Sequence, residues 1–271
     1  MRRPGVRWVL CLVILTFACS TTLSGRRQLT LIGDGQMNTL GASAFTDLKK
    51  QGKVSQDADL NRYIRCIAEP LLAVIPDGGA TLSGRWEIVV FEDASPNAFA
   101  LPGGKIGVHT GMLQVAATPG QLASVVGHEI GHVLLRHGNE RMSQGVVAEG
   151  VLQAGSVAIG QMQPALHDAV VGGLGVGAQY GVLLPFSRKH ESEADLLGQR
   201  MMADAGFNPA EAIDLWKRMA KLSDGQNPPE FMSTHPAHES RIAALKKNLP
   251  STLSLYQAAK AAGRNPDCQL L

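Results

Sequence analysis

The pentapeptide His128-Glu129-Ile130-Gly131-His132 constrains this chain more than any other stretch. On a helix, positions four apart share a face, so both imidazoles can reach one metal ion. Glu129 is turned by roughly 100° from His128, too far round for a third ligand but well placed to hold a water beside the metal. Two rings and an offset carboxylate are what a hydrolytic zinc site requires: ligands that leave one position open, and a general base next to it. The flanking sequence supplies the helix. Thr118 reads as its N-cap, Pro119 as its first residue and Gln121 as the partner that closes a capping box. Leu122, Val125, Val126, Ile130, Val133 and Leu134 then recur at helical spacing and form an apolar stripe.

Catalytic zinc usually takes three protein ligands. The best third donor lies in Ser187-Arg188-Lys189-His190-Glu191-Ser192-Glu193-Ala194-Asp195, which opens a second helix running to Gly206. Glu191 and Asp195 are four apart, so one can bind metal while the other orients a ligand histidine through its free ring N–H. Glu191 is assigned as the ligand and Asp195 as the partner behind a ligand histidine. Glu193 projects to the opposite side, toward solvent. His190 competes for the metal, but the helical period aims its ring elsewhere.

Taken in order along the chain, Asn97-Ala98-Phe99-Ala100-Leu101-Pro102-Gly103-Gly104, the zinc pentapeptide, Glu191-Ser192-Glu193-Ala194-Asp195 and Ser233-Thr234-His235-Pro236 resemble the HtpX and CAAX-prenyl-protease family of gluzincin metallopeptidases. The resemblance covers most of the chain beyond its first sixty residues. It implies an α+β fold, a mainly helical zincin-like metallopeptidase domain with a small β-sheet whose edge strand flanks the active-site helix. It also implies peptide-bond hydrolysis with one zinc ion per chain, held by His128, His132 and Glu191. Glu129 would take the proton of a zinc-activated water and deliver it to the leaving amine. His235 would stabilise the developing oxyanion or occupy the zinc's open position in a resting state. On the residues alone His235 also reads as a capping or surface histidine, because Pro236 is a natural helix start.

Trp86 to Phe91 is rich in β-formers, and Asn97 to Leu101 with Lys105 to His109 read as a hairpin around Pro102-Gly103-Gly104. An edge strand beside the zinc helix can add an extended or unfolded polypeptide by main-chain hydrogen bonds. The resemblance places Asn97 and Ala98 on such an edge, as substrate-binding residues; without it the hairpin is equally a structural one.

The N-terminus bears on the compartment. Arg2, Arg3 and Arg7 form a basic start, and Trp8 to Ala18 is an apolar core too short to span a bilayer, the pattern of an export signal over residues 1–18. Thr16-Phe17-Ala18-Cys19 resembles a bacterial lipobox. Lipidation of Cys19 would tether the protein to the cell envelope, and Ser20 after it suits the outer membrane, facing the periplasm; soluble secretion after cleavage near Ala18 is the alternative. Loss of residues 1–18 removes three of the 25 basic residues, leaving 22 against 23 acidic ones. No basic run argues for nucleic acid. Of the four cysteines, Cys11 falls in the signal, Cys19 is the lipid acceptor, and Cys66 and Cys268 are either a disulfide or two free thiols.

After a polar tether over residues 19–37, residues 38–271 read as one metallopeptidase domain, with neither a low-complexity linker nor a repeat. Leu60, Ile64, Ile67 and Leu71 mark one face of a helix from Asp57 to Ile75. Further helices are expected from Asn208 to about Ala220 and from Pro236 to Leu249. The glycine-rich apolar segment 145–185 reads as a cover, either small-residue helices or a lid. Two function classes follow: an envelope endopeptidase acting on unfolded or misassembled proteins, and a chaperone-like assembly factor holding client segments in the same cleft. The carboxylate at Glu129 favours the first, since a structural zinc site closes four ligands and has no use for a base. Oligomeric state leaves no mark in the sequence.

Overall fold

The computed structural model describes residues 19–76, 85–147, 186–223, 230–236 and 239–270. The expected signal, 1–18, and the cover segment from residue 148 to 185 lie outside the described residues. Strands β1 (Cys19–Thr21) and β2 (Arg27–Leu29) pair antiparallel and lead into helices α1 (Asp34–Gln51) and α2 (Ala58–Ala73). Strands β3 (Glu87–Phe91), β4 (Ala98–Leu101) and β5 (Lys105–His109) form a second sheet of order β3-β5-β4. The short α3 (Met112–Val115) precedes α4 (Pro119–Leu134), and a further helical stretch spans 137–147. Helices α5 (Arg188–Ala205), α6 (Glu211–Ser223), α7 (Glu230–Thr234) and α8 (Glu239–Ala261) follow. The fold is α+β and mostly helical with one small mixed sheet, as the sequence leads one to expect.

Strand β5 is central, parallel to β3 and antiparallel to β4, and it buries Ile106 and Val108. The turn joining β4 to β5 needs left-handed backbone at two successive positions, which Gly103 (φ 84°) and Gly104 (φ 67°) supply. Strand β4 is left at the edge. His109 N–H donates to Asn97 O at 3.0 Å, and the alternation of an antiparallel ladder then directs the main chain of Ala98 and Ala100 outward. That outward side faces α4.

Helix α4 starts as its sequence dictates: Thr118 Oγ1 accepts from Gln121 N–H at 3.1 Å, while Gln121 Oε1 accepts from Ala117 N–H at 2.9 Å. It is buried around nearly its whole circumference from Leu122 to Leu134, not along a single stripe. The second buried face is made of small residues, Gly127 and Gly131, against which α5 presents Gly198 and Ala194. A Cβ at position 198 would lie 2.8 Å from the His128 nitrogen, so the two helices approach as closely as backbones allow.

Three expectations need correction. Residues 19–37 are not a loose tether: they hold the β1–β2 hairpin and the start of α1, because Arg26 engages Glu140 and Glu193. Helix α8 runs past Leu249 to Ala261, with the hydroxyls of Ser251 and Thr252 capping the carbonyls of Asn248 and Leu249 next to Pro250. Helix α6 begins at Glu211, later than Asn208, and the Glu211 carboxylate accepts from Thr118 Oγ1 instead of closing a capping box. Cys66 on α2 is joined to Cys268 in a disulfide spanning 202 residues. In the chain-entropy account a loop of that size stabilises the fold by about 5 kcal/mol.

The α4–α5 contact yields a direct test. Gly198→Val should lower stability to urea by about 2 kcal/mol or more through overpacking. Gly138→Ala, where an added Cβ meets nothing within 4 Å, should leave stability unchanged or raise it by up to about 1 kcal/mol.

Candidate metal centre

The α4–α5 approach brings four donors into one buried cluster: His128 and His132 from α4, Glu191 from the first turn of α5, and His235 just after α7. The two Nε2 atoms lie 3.0 Å apart. Glu191 Oε2 is 3.5 Å from His128 Nε2, and Glu191 Oε1 is 3.4 Å from His132 Nε2. His235 Nδ1 is 3.1 Å from both His128 Nε2 and Glu191 Oε1. Donors about 2.1 Å from a tetrahedral zinc stand roughly 3.4 Å from one another. The donor set and its spacing therefore fit zinc, and the chemistry of two imidazoles and a carboxylate is that of a catalytic site.

Each ligand is braced from behind. His128 Nδ1 lies 2.9 Å from Asp195 Oδ1, and Asp195 receives a two-pronged grip from Arg241, Nε at 2.6 Å and Nη2 at 2.7 Å. The third guanidinium nitrogen reaches Glu191 Oε2 at 2.6 Å. Arg241 also covers the Trp216 ring, 3.5 Å from its centroid, and is 2 % exposed. His132 Nδ1 has a different neighbour, His137 Nδ1, at 2.9 Å. Phe186 lies against the His132 ring at 3.9 Å, and Phe231 stacks on His235 at 4.5 Å.

Glu129 stands beside this cluster. Its Oε2 accepts from Ala100 N–H of β4 at 3.2 Å, and its Oε1 is buried without a hydrogen-bond partner among the described residues, 3.4 Å from His235 Nε2. Burial raises its pKa. Burial also works on the two rings of α4, with opposite outcomes. It would lower His128, but hydrogen bonds to Asp195 and Glu191 outweigh it and lift the ring to about 9. His132, backed by a neutral ring in place of a carboxylate, is held well below its ordinary value. Burial would raise Glu191, yet the surrounding His235, His128 and His132 keep it far below the usual carboxylate range.

Asn97 and Ala98 line a narrow cleft together with Glu129, His132, Phe186 and His235. They are only 8 % and 2 % exposed. His235 sits at the end of α7, its N–H on Phe231 O, rather than at the start of the next helix. His190 is indeed turned away, its Nε2 3.0 Å from Glu140. Glu193 is not solvated as expected. It accepts from His137, Arg26 and Ser24, because the chain reverses after α4 and the N-terminal hairpin lies over that side of α5. Sequence reasoning gave Arg241 no role and did not find His137 or Phe186. The one available signal was a histidine five residues after His132, which helical period alone points away. Arg136 takes a left-handed backbone (φ 56°) between α4 and the next helical stretch, and that turn brings His137 back.

The sequence is similar to those of known metallopeptidases. The chain is 38% identical over 193 residues to the mitochondrial metalloendopeptidase OMA1 of Schizosaccharomyces pombe, covering 69% of this chain and 52% of that protein. It is 35% identical over 231 residues to OMA1 of Arabidopsis thaliana, covering 83% and 44%. It is 28% identical over 213 residues to the beta-barrel assembly-enhancing protease of Escherichia coli, covering 77% and 43%. The chain thus spans about half the length of the curated relatives it matches. These relatives are of the OMA1 and assembly-enhancing kinds, and they bear out the wider family rather than the narrower HtpX and CAAX-prenyl-protease likeness. The model of peptidase family M48 matches residues 58–249, from α2 through the whole donor cluster to the middle of α8, and the chain belongs to that family of zinc metallopeptidases.

Proposed function

We propose that this chain is a zinc-dependent endopeptidase of the bacterial cell envelope that cuts extended segments of unfolded or misassembled proteins. The observation that carries the reading is the buried Glu129 Oε1, without a hydrogen bond among the described residues and facing the cleft beside the zinc-compatible donors. His128, His132 and Glu191 would hold the metal. A zinc ion held there would supply Lewis acidity toward a water and the scissile carbonyl. Glu129 takes the proton on its free oxygen and delivers it to the leaving amine, a task suited by a pKa that burial has raised toward the working pH. Ala100 N–H fixes the other oxygen, so the carboxylate keeps one orientation through the cycle. A substrate strand pairs with the outward main chain of β4 at Ala98, beside Asn97. Both residues are nearly covered, so entry requires the wall made by Phe186 and His235 to move aside. In this reading His235 closes the donor cluster at rest and, once displaced, faces the developing oxyanion. A recess between α1 and β4, bounded by Met37, Leu101 and Phe186, continues the path past His132.

Membrane contact in this reading comes from acyl chains on Cys19, placing the enzyme on the outer membrane with its cleft in the periplasm. Among the described residues no helix is long and apolar enough to cross a membrane. The E. coli relative's name joins assembly enhancement to proteolysis, which supports a second reading: chaperone-like holding of client segments in the same cleft.

Wild type and Glu129→Gln, each loaded with zinc, separate the two. Cleavage of an unfolded protein should fall by about 10²–10⁴-fold in the variant, while retention of the substrate persists. If both proteins hold it equally and neither cuts, the enzyme reading is wrong. Without metal, the raised Glu129 pKa gives a second test. A carboxyl whose folded pKa exceeds its unfolded value stabilises the fold below the unfolded value and loses that contribution as pH rises through the folded one. Metal-free Glu129→Gln should therefore melt at a higher temperature than metal-free wild type at pH 7, with the gap closing toward pH 4.5; thermal unfolding across that range checks it.

A further inference from the structure

His132 is backed by a histidine where His128 is backed by a carboxylate, and the contacts behind that histidine lead out of the active-site helix altogether. To bind metal through Nε2, a neutral His132 must carry its proton on Nδ1. Among the described residues the ring nitrogen facing that proton is His137 Nδ1, at 2.9 Å, so His137 accepts there and carries its own proton on Nε2. His137 Nε2 lies 3.1 Å from Glu193 Oε2 and donates to it. Glu193 in turn receives Arg26 Nε at 3.0 Å on each oxygen and Ser24 Oγ at 2.6 Å. The remaining guanidinium nitrogens of Arg26 grip Glu140 at 2.8 and 2.6 Å. Glu140 holds His190 Nε2 at 3.0 Å, and the His190 ring stacks on His137 at 4.3 Å. The His137 ring is thus fixed at both nitrogens and on one face. Arg26 and Ser24 both belong to the β1–β2 hairpin, which precedes the region matched by the family model.

We propose that His137, Glu193 and Arg26 are positioning residues that fix the tautomer and ring plane of His132, so that the N-terminal hairpin is a working part of the metal centre. Carboxylate character reaches this ligand through an intervening imidazole, whereas Asp195 supplies it to His128 directly. The inference rests on the metallopeptidase reading above and names what that reading leaves out.

Zinc affinity of the full chain, measured by competition with a chromophoric chelator, and the visible spectrum of its Co²⁺ form provide the test. His137→Phe should weaken zinc binding by about 10–100-fold, the usual cost of losing a partner behind a ligand histidine, and shift the Co²⁺ bands. His137→Asn, whose amide oxygen can take the place of Nδ1, should restore most of both. Arg26→Ala should move affinity and spectrum in the same direction by about threefold or more. Its side chain is 24 % exposed, so it carries the test if His137→Phe does not fold, and circular dichroism of the metal-free proteins checks the fold. Equal affinities and superimposable spectra across the set overturn the proposal, as does a loss in His137→Phe that leaves the Co²⁺ spectrum unmoved and that His137→Asn does not rescue. A wild type that binds neither ion overturns the metallopeptidase reading itself, which keeps the two failures apart.

Discussion

The buried Arg241 is the contact on which the remainder of the centre depends. Its guanidinium binds both Asp195 oxygens, reaches Glu191, and donates to the Pro236 carbonyl at 3.2 Å. One planar group therefore sets the second residue behind His128, the third metal donor, and the chain that presents His235. Two carboxylates this deep in a protein are costly unless paired, and a lysine, with no fork of donors, could not serve both at once. Removing this cation would leave Asp195 and Glu191 uncompensated in the same few ångströms. The centre is thus held by α8 as much as by the helix that carries its signature.

Close packing makes that pairing possible. With glycine at 127, 131 and 198, α5 lies against the backbone of α4, and a carboxylate on its first turn reaches rings on a helix that it would otherwise face across an ordinary side-chain layer. The same economy appears on the opposite flank, where Ala100 of the edge strand donates straight to Glu129. Base and two ligands sit on the buried helix α4, the third ligand on the first turn of α5 and the substrate edge on main chain, so each functional atom is carried by a packed, regular element. Such mounting suits a site whose geometry must hold to a fraction of an ångström.

What was legible in the sequence follows from the range of the interaction. His128, Glu129 and His132, and likewise Glu191 and Asp195, are related by a helical period, which a local pattern encodes. The capped start of α4 and the buried face of α2 are legible for the same reason. Glu193 was misread because local period places it opposite Glu191, and solvent is the default partner for such a face; its actual partners come from residues 24, 26 and 137. His137 is hidden by the left-handed turn at Arg136, which breaks the period one residue earlier. Arg241 looks like any basic residue on an amphipathic helix until Asp195, 46 positions away, is placed beside it. The hairpin read as a tether because three-residue strands carry too little pattern to show.

The two ligand rings of α4 differ in a way that bears on how the fold survives without metal. His128, lifted to about 9 between Asp195 and Glu191, carries a proton at neutral pH in the metal-free protein. That charge sits where the metal's charge would lie and balances the same carboxylates. His132, held low, stays neutral. Zinc entering such a site meets one ligand already free and must displace a proton from the other. Binding is then coupled to proton release, and acidification opposes metal chiefly through His128. The carboxylate behind a ligand histidine has two effects that oppose each other: it makes the ring a better donor and also makes the competing proton harder to remove. Placing a full carboxylate behind one ring and a neutral imidazole behind the other divides these effects between the two ligands, so that one anchors the site electrostatically while the other remains open to the metal.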